Sequence, residues 1–126
     1  MYKVSAIYTP PPDAELWFDH EHYGAVHVPM MNRILPGKVK LVGVEIDLGV
    51  ETLVRTTVSQ GNATSVKATS HELFAPLVAN IFFDNREDAL DFANFVTSSD
   101  AQELHTDVPK YTNCDIHWTV GEVHKP

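Results

Sequence analysis

Residues 73–96 read LFAPLVANIFFDNREDALDFANFV, and the spacing of apolar side chains changes within them. Leu73–Phe83 is strand-like, with Pro76 placing a bulge or a sheet edge near its start. Beyond it, Asp84-Asn85-Arg86-Glu87 has the spacing of a capping box, carboxylate first and Glu at its third position. Ala89, Leu90, Phe92, Ala93 and Val96 then recur at helical spacing. A strand that runs straight into an amphipathic helix is half of a βαβ-type unit, so the flanking segments decide the architecture.

On the C-terminal side, Ser99-Asp100-Ala101-Gln102-Glu103 offers a second, short helix that Pro109 stops. Cys114–Val123 is a final strand, with Cys114, Ile116, Trp118 and Val120 alternating against Asp115, His117 and Thr119. On the N-terminal side the same unit recurs. Tyr2–Thr9 alternates as a strand, with Tyr2, Val4, Ala6 and Tyr8 on one side, until Pro10-Pro11-Pro12 ends ladder pairing. Asp13 stands where an N-cap belongs and Glu15 suits a first turn, which predicts a helix that deforms near Val28-Pro29 and gives way at Pro36-Gly37. Lys38–Leu48 follows as strand two. Gly49–Glu72, rich in Thr, Ser, Gly, Asn and Ala, reads as an insertion that suits a hairpin, a pocket lid or a dimer arm.

The order is β-α-β-(insertion)-β-α-β. That is the α+β, ferredoxin-like split βαβ arrangement: a four-stranded antiparallel sheet with both helices on one face. Its other face would expose apolar residues in a monomer, and pairing two sheets across a two-fold axis covers them, so a homodimer is expected.

Composition narrows the partners. With 126 residues and 44% apolar content the chain fits a single domain, 1–126, able to bury a core without cross-links. Nine Lys+Arg against 17 Asp+Glu give a net charge of −8, which repels nucleic acid and anionic membrane surfaces. Cys114 is the single cysteine, so an intrachain disulfide and a Cys-rich zinc site are both excluded. No apolar run reaches about 18 residues, and Met-Tyr-Lys leads into a strand and not a signal peptide, which makes the cytoplasm the expected compartment.

Seven histidines is the one unusual count. On a helical wheel Leu16, Trp17, His20, Tyr23, Gly24 and His27 share one stripe, while Phe18, Asp19, Glu21, His22, Ala25 and Val26 fall outside it. Tyr23 and His27, four apart, can point their phenol and imidazole into one small volume. His20 reads as a structural histidine of the stripe. A metal site is disfavoured, because His20 and His27 stand about 10.5 Å apart along the axis, whereas a zinc-binding helix places its histidines four apart. His22, His105 and His124 fall on exposed faces or ends; His71 and His117 are left as second titrating groups or solvent-exposed side chains. Cys114 reads as packing.

The run Tyr23-Gly24-Ala25-Val26-His27-Val28-Pro29-Met30, preceded by Trp17-Phe18, resembles the Y…H-x-P-L signature of the EthD family, named for ethyl tert-butyl ether degradation. Met30 stands where Leu is usual. Phe82-Phe83-Asp84-Asn85-Arg86-Glu87-Asp88-Ala89 resembles that family's strand-to-helix junction, and Ser98–Gln102 through Asp107-Val108-Pro109-Lys110-Tyr111-Thr112 resembles its closing D-x-P-x-[FY]-T segment. The resemblance covers most of the chain outside Gly49–Glu72. It implies a dimeric α+β barrel with a pocket between sheet and helices, a scaffold shared by cofactor-free polyketide cyclases, muconolactone isomerases, pigment decarboxylases or dehydratases, and quinone-forming monooxygenases.

The leading expectation is a cofactor-independent enzyme acting on a hydrophobic carbonyl-bearing or phenolic small molecule by cyclisation, dehydration, decarboxylation or isomerisation. His27 is the expected general acid or base, since an imidazole titrates near neutrality, and Tyr23 the hydrogen-bond donor to a developing enolate. Trp17, His20, Tyr8, Phe83 and Trp118 are the expected substrate-binding residues. No cofactor and no metal is expected. Two other readings stand beside it: a small-molecule-binding accessory protein that performs no chemistry, and a cofactor-independent monooxygenase. Haem binding through His27 or His20 is a weaker one, with no haem-attachment Cys pair to support it.

Overall fold

The computed structural model describes the backbone of residues 1–60 and 63–126 and the side chains of 1–52 and 73–126. Within these, β1 (Tyr2–Thr9), β2 (Gly43–Gln60), β3 (Ala63–Phe83) and β4 (Asp115–Glu122) form one antiparallel sheet in the order β2-β3-β1-β4. A continuous helix over 20–34, here α1, links β1 to β2; α2 (Arg86–Val96) and the short α3 (Gln102–Asp107), flanked by 3₁₀ turns Ser99–Ala101 and Val108–Lys110, link β3 to β4. This is the α+β, ferredoxin-like split βαβ topology that the element order predicts.

Period-2 alternation divides the sheet into two faces. Val4, Ala6 and Tyr8 of β1 pair with Ile81, Ala79 and Leu77 of β3 and with Val120, Trp118 and Ile116 of β4, and this row faces the helices. One end of the core packs Val4, Ile81 and Phe83 against Ala89, Phe92 and Val96 of α2, with the rings of Phe83 and Phe92 5.3 Å apart. The opposite face differs from expectation. Its centre is a polar chain in which Ser5 Oγ donates to Asn80 Oδ1 at 2.8 Å and Asn80 Nδ2 donates to Asp47 Oδ2 at 2.8 Å. The exposed apolar row lies elsewhere: Val44, Ile46 and Leu48 sit on the helix side of edge strand β2, while α2 packs over β1, β3 and β4.

Within the insertion, residues 49–60 continue β2 and residues 63–72 belong to β3, and the two strands pair from Gly43↔Phe82 out to Gln60↔Ala63. Pro76 stands one residue beyond Leu77, the last β3 partner of β1, where its missing N–H costs no bond to that strand. The bulge lies beside it, since Val50 faces Ala75 but Glu51 faces Leu73, leaving Phe74 as the extra residue. Gly49, with φ 60°, takes the left-handed conformation directly across from the proline.

Other boundaries move: β2 runs on to Gln60, β3 begins at Ala63 and not Leu73, and β4 is shorter by one residue at each end than Cys114–Val123. Strand two begins at Gly43 and not at Lys38, and α2 is capped one residue late: Asn85, not Asp84, accepts the backbone N–H of Asp88 at 2.8 Å. The larger correction is α1, which starts at His20 with Asp19 as its N-cap, not after Asp13. Residues 15–19 are held extended by residues 111–113: Asn113 Nδ2 donates to the Glu15 carbonyl, the Trp17 N–H donates to Asn113 Oδ1, Thr112 Oγ1 donates to the Trp17 carbonyl, and the Asp19 N–H donates to the Tyr111 carbonyl. These bonds satisfy the backbone groups a longer helix would have used.

Candidate functional site

Proline at position 29 shapes the first helix. Lacking an N–H, it makes no bond to the Ala25 carbonyl, and its ring crowds that oxygen. The chain stays helical, however, by widening one turn: Tyr23–His27 is π-helical, and the Val28 N–H donates to the Tyr23 carbonyl five residues back. The deformation expected near Val28-Pro29 is therefore a π turn. Its consequence is directional. In an α-helix His22 and His27 would point about 140° apart, whereas a turn that closes over five residues brings the fifth nearly back over the first.

Both imidazoles consequently meet one carboxylate. His27 Nδ1 lies 3.0 Å from Asp107 Oδ2, and His22 Nε2 lies 2.9 Å from Asp107 Oδ1. Because the carboxylate only accepts, each imidazole donates to it, which leaves His27 Nε2 as the free lone pair. Tyr111 Oη, 3.4 Å from that nitrogen, gives it only a long hydrogen bond. Tyr111 is tied more tightly to Tyr8, hydroxyl to hydroxyl at 2.6 Å, and the ring of Tyr23 stacks on His27 at 5.5 Å and 22°.

These groups close one end of a cavity between sheet and helices, with about 610 Å³ of empty space including its open mouth. Tyr8, Tyr23 and His27 are the polar end; Met31, Ala79, Ile81, Leu104, Ile116 and Trp118 make most of the apolar wall. Among the described residues, none that lines it is Lys or Arg. Burial, the largest influence, lowers the His27 imidazole below its ordinary 6.5 despite the Asp107 carboxylate beside it. Burial raises Asp107, but the hydrogen bonds from His22 and His27 outweigh it and hold the carboxyl below 3.8. Tyr23 is pushed up to about 12, mainly by burial, and Tyr8 and Tyr111 are raised for the same reason. The phenols are thus proton-bearing donors at neutral pH, beside an imidazole held neutral.

Of the residues singled out in the sequence, Tyr8, Tyr23, His27 and Trp118 do line this cavity. Phe83 does not: it is fully buried against Phe92. Trp17 leaves the wheel because α1 begins late, and His20, the first residue of α1, does not line the cavity. Trp17 is 46% exposed, and His20 is exposed against Phe18 at 4.7 Å, in a separate shallow concavity with Leu48 and Leu73. His117 is exposed on the far face of the sheet, opposite Ile7, and the side chain of His71 lies outside the described residues. Cys114 is buried, as expected, and its thiol is raised by that burial.

Four residues of the site went unassigned. Asp107 and Tyr111 were visible only as letters of a motif, and the π turn hid the relation of His22 to His27. His105 is exposed, as expected, yet it also borders the cavity, where its Nε2 donates to the Val96 carbonyl at 2.7 Å. Among the described residues no three of His, Cys, Asp and Glu converge in a way that could hold a metal ion.

No protein-family model matches the chain, and no curated protein matches it. Among solved structures it is similar to an EthD-like protein from Ralstonia eutropha JMP134, at 19% identity and a TM-score of 0.57, over 96% of this chain and 89% of that one. It is also similar to an EthD family protein from Bacillus halodurans C-125, at 20% identity and a TM-score of 0.50, over 98% of this chain and 99% of that one. The chain therefore has the EthD-like fold across nearly its whole length.

Proposed function

We propose that this protein is a cofactor-independent enzyme that moves protons on a hydrophobic, carbonyl-bearing or phenolic small molecule, in a cyclisation, dehydration, decarboxylation or isomerisation. One observation carries the reading: an imidazole oriented by a buried aspartate, with its Nε2 held only by a long 3.4 Å hydrogen bond from Tyr111, lines the polar end of an apolar cavity. A carrier would use such a carboxylate only to satisfy a buried imidazole N–H and has no use for its charge. An acid–base catalyst does, since Asp107 fixes the tautomer of His27 and stabilises the imidazolium formed when Nε2 takes a proton.

In this scheme the substrate's apolar body lies along Met31, Ile81, Leu104 and Trp118. Nε2 of His27 takes a proton from the carbon or hydroxyl beside the carbonyl, and the hydroxyl of Tyr23 donates to the oxygen on which negative charge gathers. Tyr23 can stay protonated while doing so, with its pKa at about 12. Among the described lining residues none is Lys or Arg, which favours the neutral substrates of a cyclisation, dehydration or isomerisation over the carboxylate that a decarboxylation requires.

Replacing His27→Ala and Tyr23→Phe tests the reading. Turnover should fall by about 10²-fold or more in the first and clearly in the second, while affinity for the same ligand stays within a few-fold. Unchanged turnover in both variants overturns it, and oxygen consumption during turnover would indicate a monooxygenase instead. The functional unit we propose is a homodimer, supported by the exposed Val44, Ile46 and Leu48.

A further inference from the structure

We propose that His22 is a positioning residue of this site, acting from the solvent side on Asp107, so that the carboxylate is shared between two imidazoles and balances one added proton at a time. The inference rests on the acid–base role given to His27. Its geometry is independent of that role.

Asp107 spends both oxygens, one on each ring, and is 3% exposed, so the charge it balances is supplied from these two sides. The rings differ in access. The His22 side chain is 24% exposed and borders a shallow surface concavity with Asp19 and Glu21, whereas His27 is 9% exposed and faces the cavity. Tyr111 fills the space beside both, stacked on His22 at 6.1 Å and 20° and tilted against His27 at 4.7 Å. The groups facing His27 are Asp107 from α3, Tyr111 from the segment after it and Tyr23 from its own helix, with Tyr8 of β1 bonded to Tyr111 and, like His105, on the cavity wall. Those facing His22 are Asp107 and Tyr111, with Asp19 and Glu21 on its own element.

One carboxylate can neutralise one imidazolium. When His22 carries a proton, a second on His27 meets an uncompensated positive charge across the shared carboxylate, and His27 is kept as a free base. When His22 is neutral, the whole charge of Asp107 is available to the imidazolium that forms on His27 during turnover. Surface protonation thereby sets how strongly the buried base binds its proton, through a group that never touches the substrate.

Histidine-detected NMR titration of the ligand-free protein tests this without a substrate. In the unaltered protein the ring signals of His22 and His27 should each show both titration steps, the signature of coupled sites. In His22→Gln, which keeps a donor for Asp107 but carries no charge, His27 should titrate in a single step moved upward by about half a unit or more. Independent single-step curves for the two rings in the unaltered protein overturn the proposal whether or not the variant folds, as does a His27 curve unmoved by the substitution. Independent titration together with lost turnover in His27→Ala removes this inference and leaves the proposed function standing; coupled titration with unchanged turnover does the reverse.

Discussion

Asp107 occupies the last position of α3, where the carbonyl end of a helix disfavours a negative charge, yet it titrates below the ordinary carboxylate value. Two imidazole donors outweigh both the dipole and the burial. Replacing it, Asp107→Asn, leaves a neutral acceptor that supports neither the tautomer nor the imidazolium, so turnover should fall by about 10²-fold or more with little change in ligand affinity. Retention of full turnover would remove Asp107 from the mechanism. The same residues fix how stability responds to acid. His27 has a lowered pKa in the folded chain, so the unfolded chain binds more protons just below pH 6.5, and stability falls as the pH drops through that window. Asp107 adds a second loss of the same sign below 3.8. Urea unfolding at pH 7.5 and pH 5.5 should show lower stability at the acid value, with the difference reduced in His27→Gln; equal stabilities would contradict the lowered His27 pKa. At this scale His27 and Tyr23 could be read from a helical stripe and a motif. Asp107 could not, because it lies 80 residues from His27 and only folding makes them neighbours.

Strands were legible because alternation is a local signal: Tyr2–Thr9 is recovered with both ends correct. The start of α1 was not, because residues 15–19 are claimed by hydrogen bonds from residues 111–113, which no window along the chain contains. That zipper also sets the site, since it draws Tyr111, and Asp107 four residues before it, against the helix that carries both histidines. The second determinant on this scale is Pro29. Pro29→Ala restores an N–H to the Ala25 carbonyl and allows an ordinary α turn, in which His22 and His27 would point about 140° apart and could no longer share Asp107. The gain in helix propensity from Ala is opposed by the partner that buried Asp107 would lose, so the decisive readout is turnover, which should drop about tenfold or more. A variant that keeps both its turnover and its coupled histidine titration would show that the proline does not create the arrangement.

At the scale of the molecule, the sheet's uncovered face and its exposed apolar surface are different places. Ser5, Asn80 and Asp47 satisfy one another on the uncovered face, whereas Val44, Ile46 and Leu48, the last 65% exposed, stand in a row on edge strand β2. Alternation showed that β2 has an apolar side, but not that the helices would leave it bare. A chain with net charge −8 resists a second copy, so association has to draw on an apolar row and should strengthen as salt screens the repulsion. Light scattering should therefore give twice the 14.1 kDa chain mass, with dissociation on dilution suppressed by added salt. Replacing Ile46→Glu and Leu48→Glu together puts two further charges per chain into the row, and should return the mass to 14.1 kDa with an unchanged circular-dichroism spectrum. A mass of one chain for the unaltered protein at every concentration and salt would sink the dimer. A dimer that survives the double substitution would move its interface off this apolar row and onto the opposite, polar face of the sheet, which carries Glu45 and Asp47.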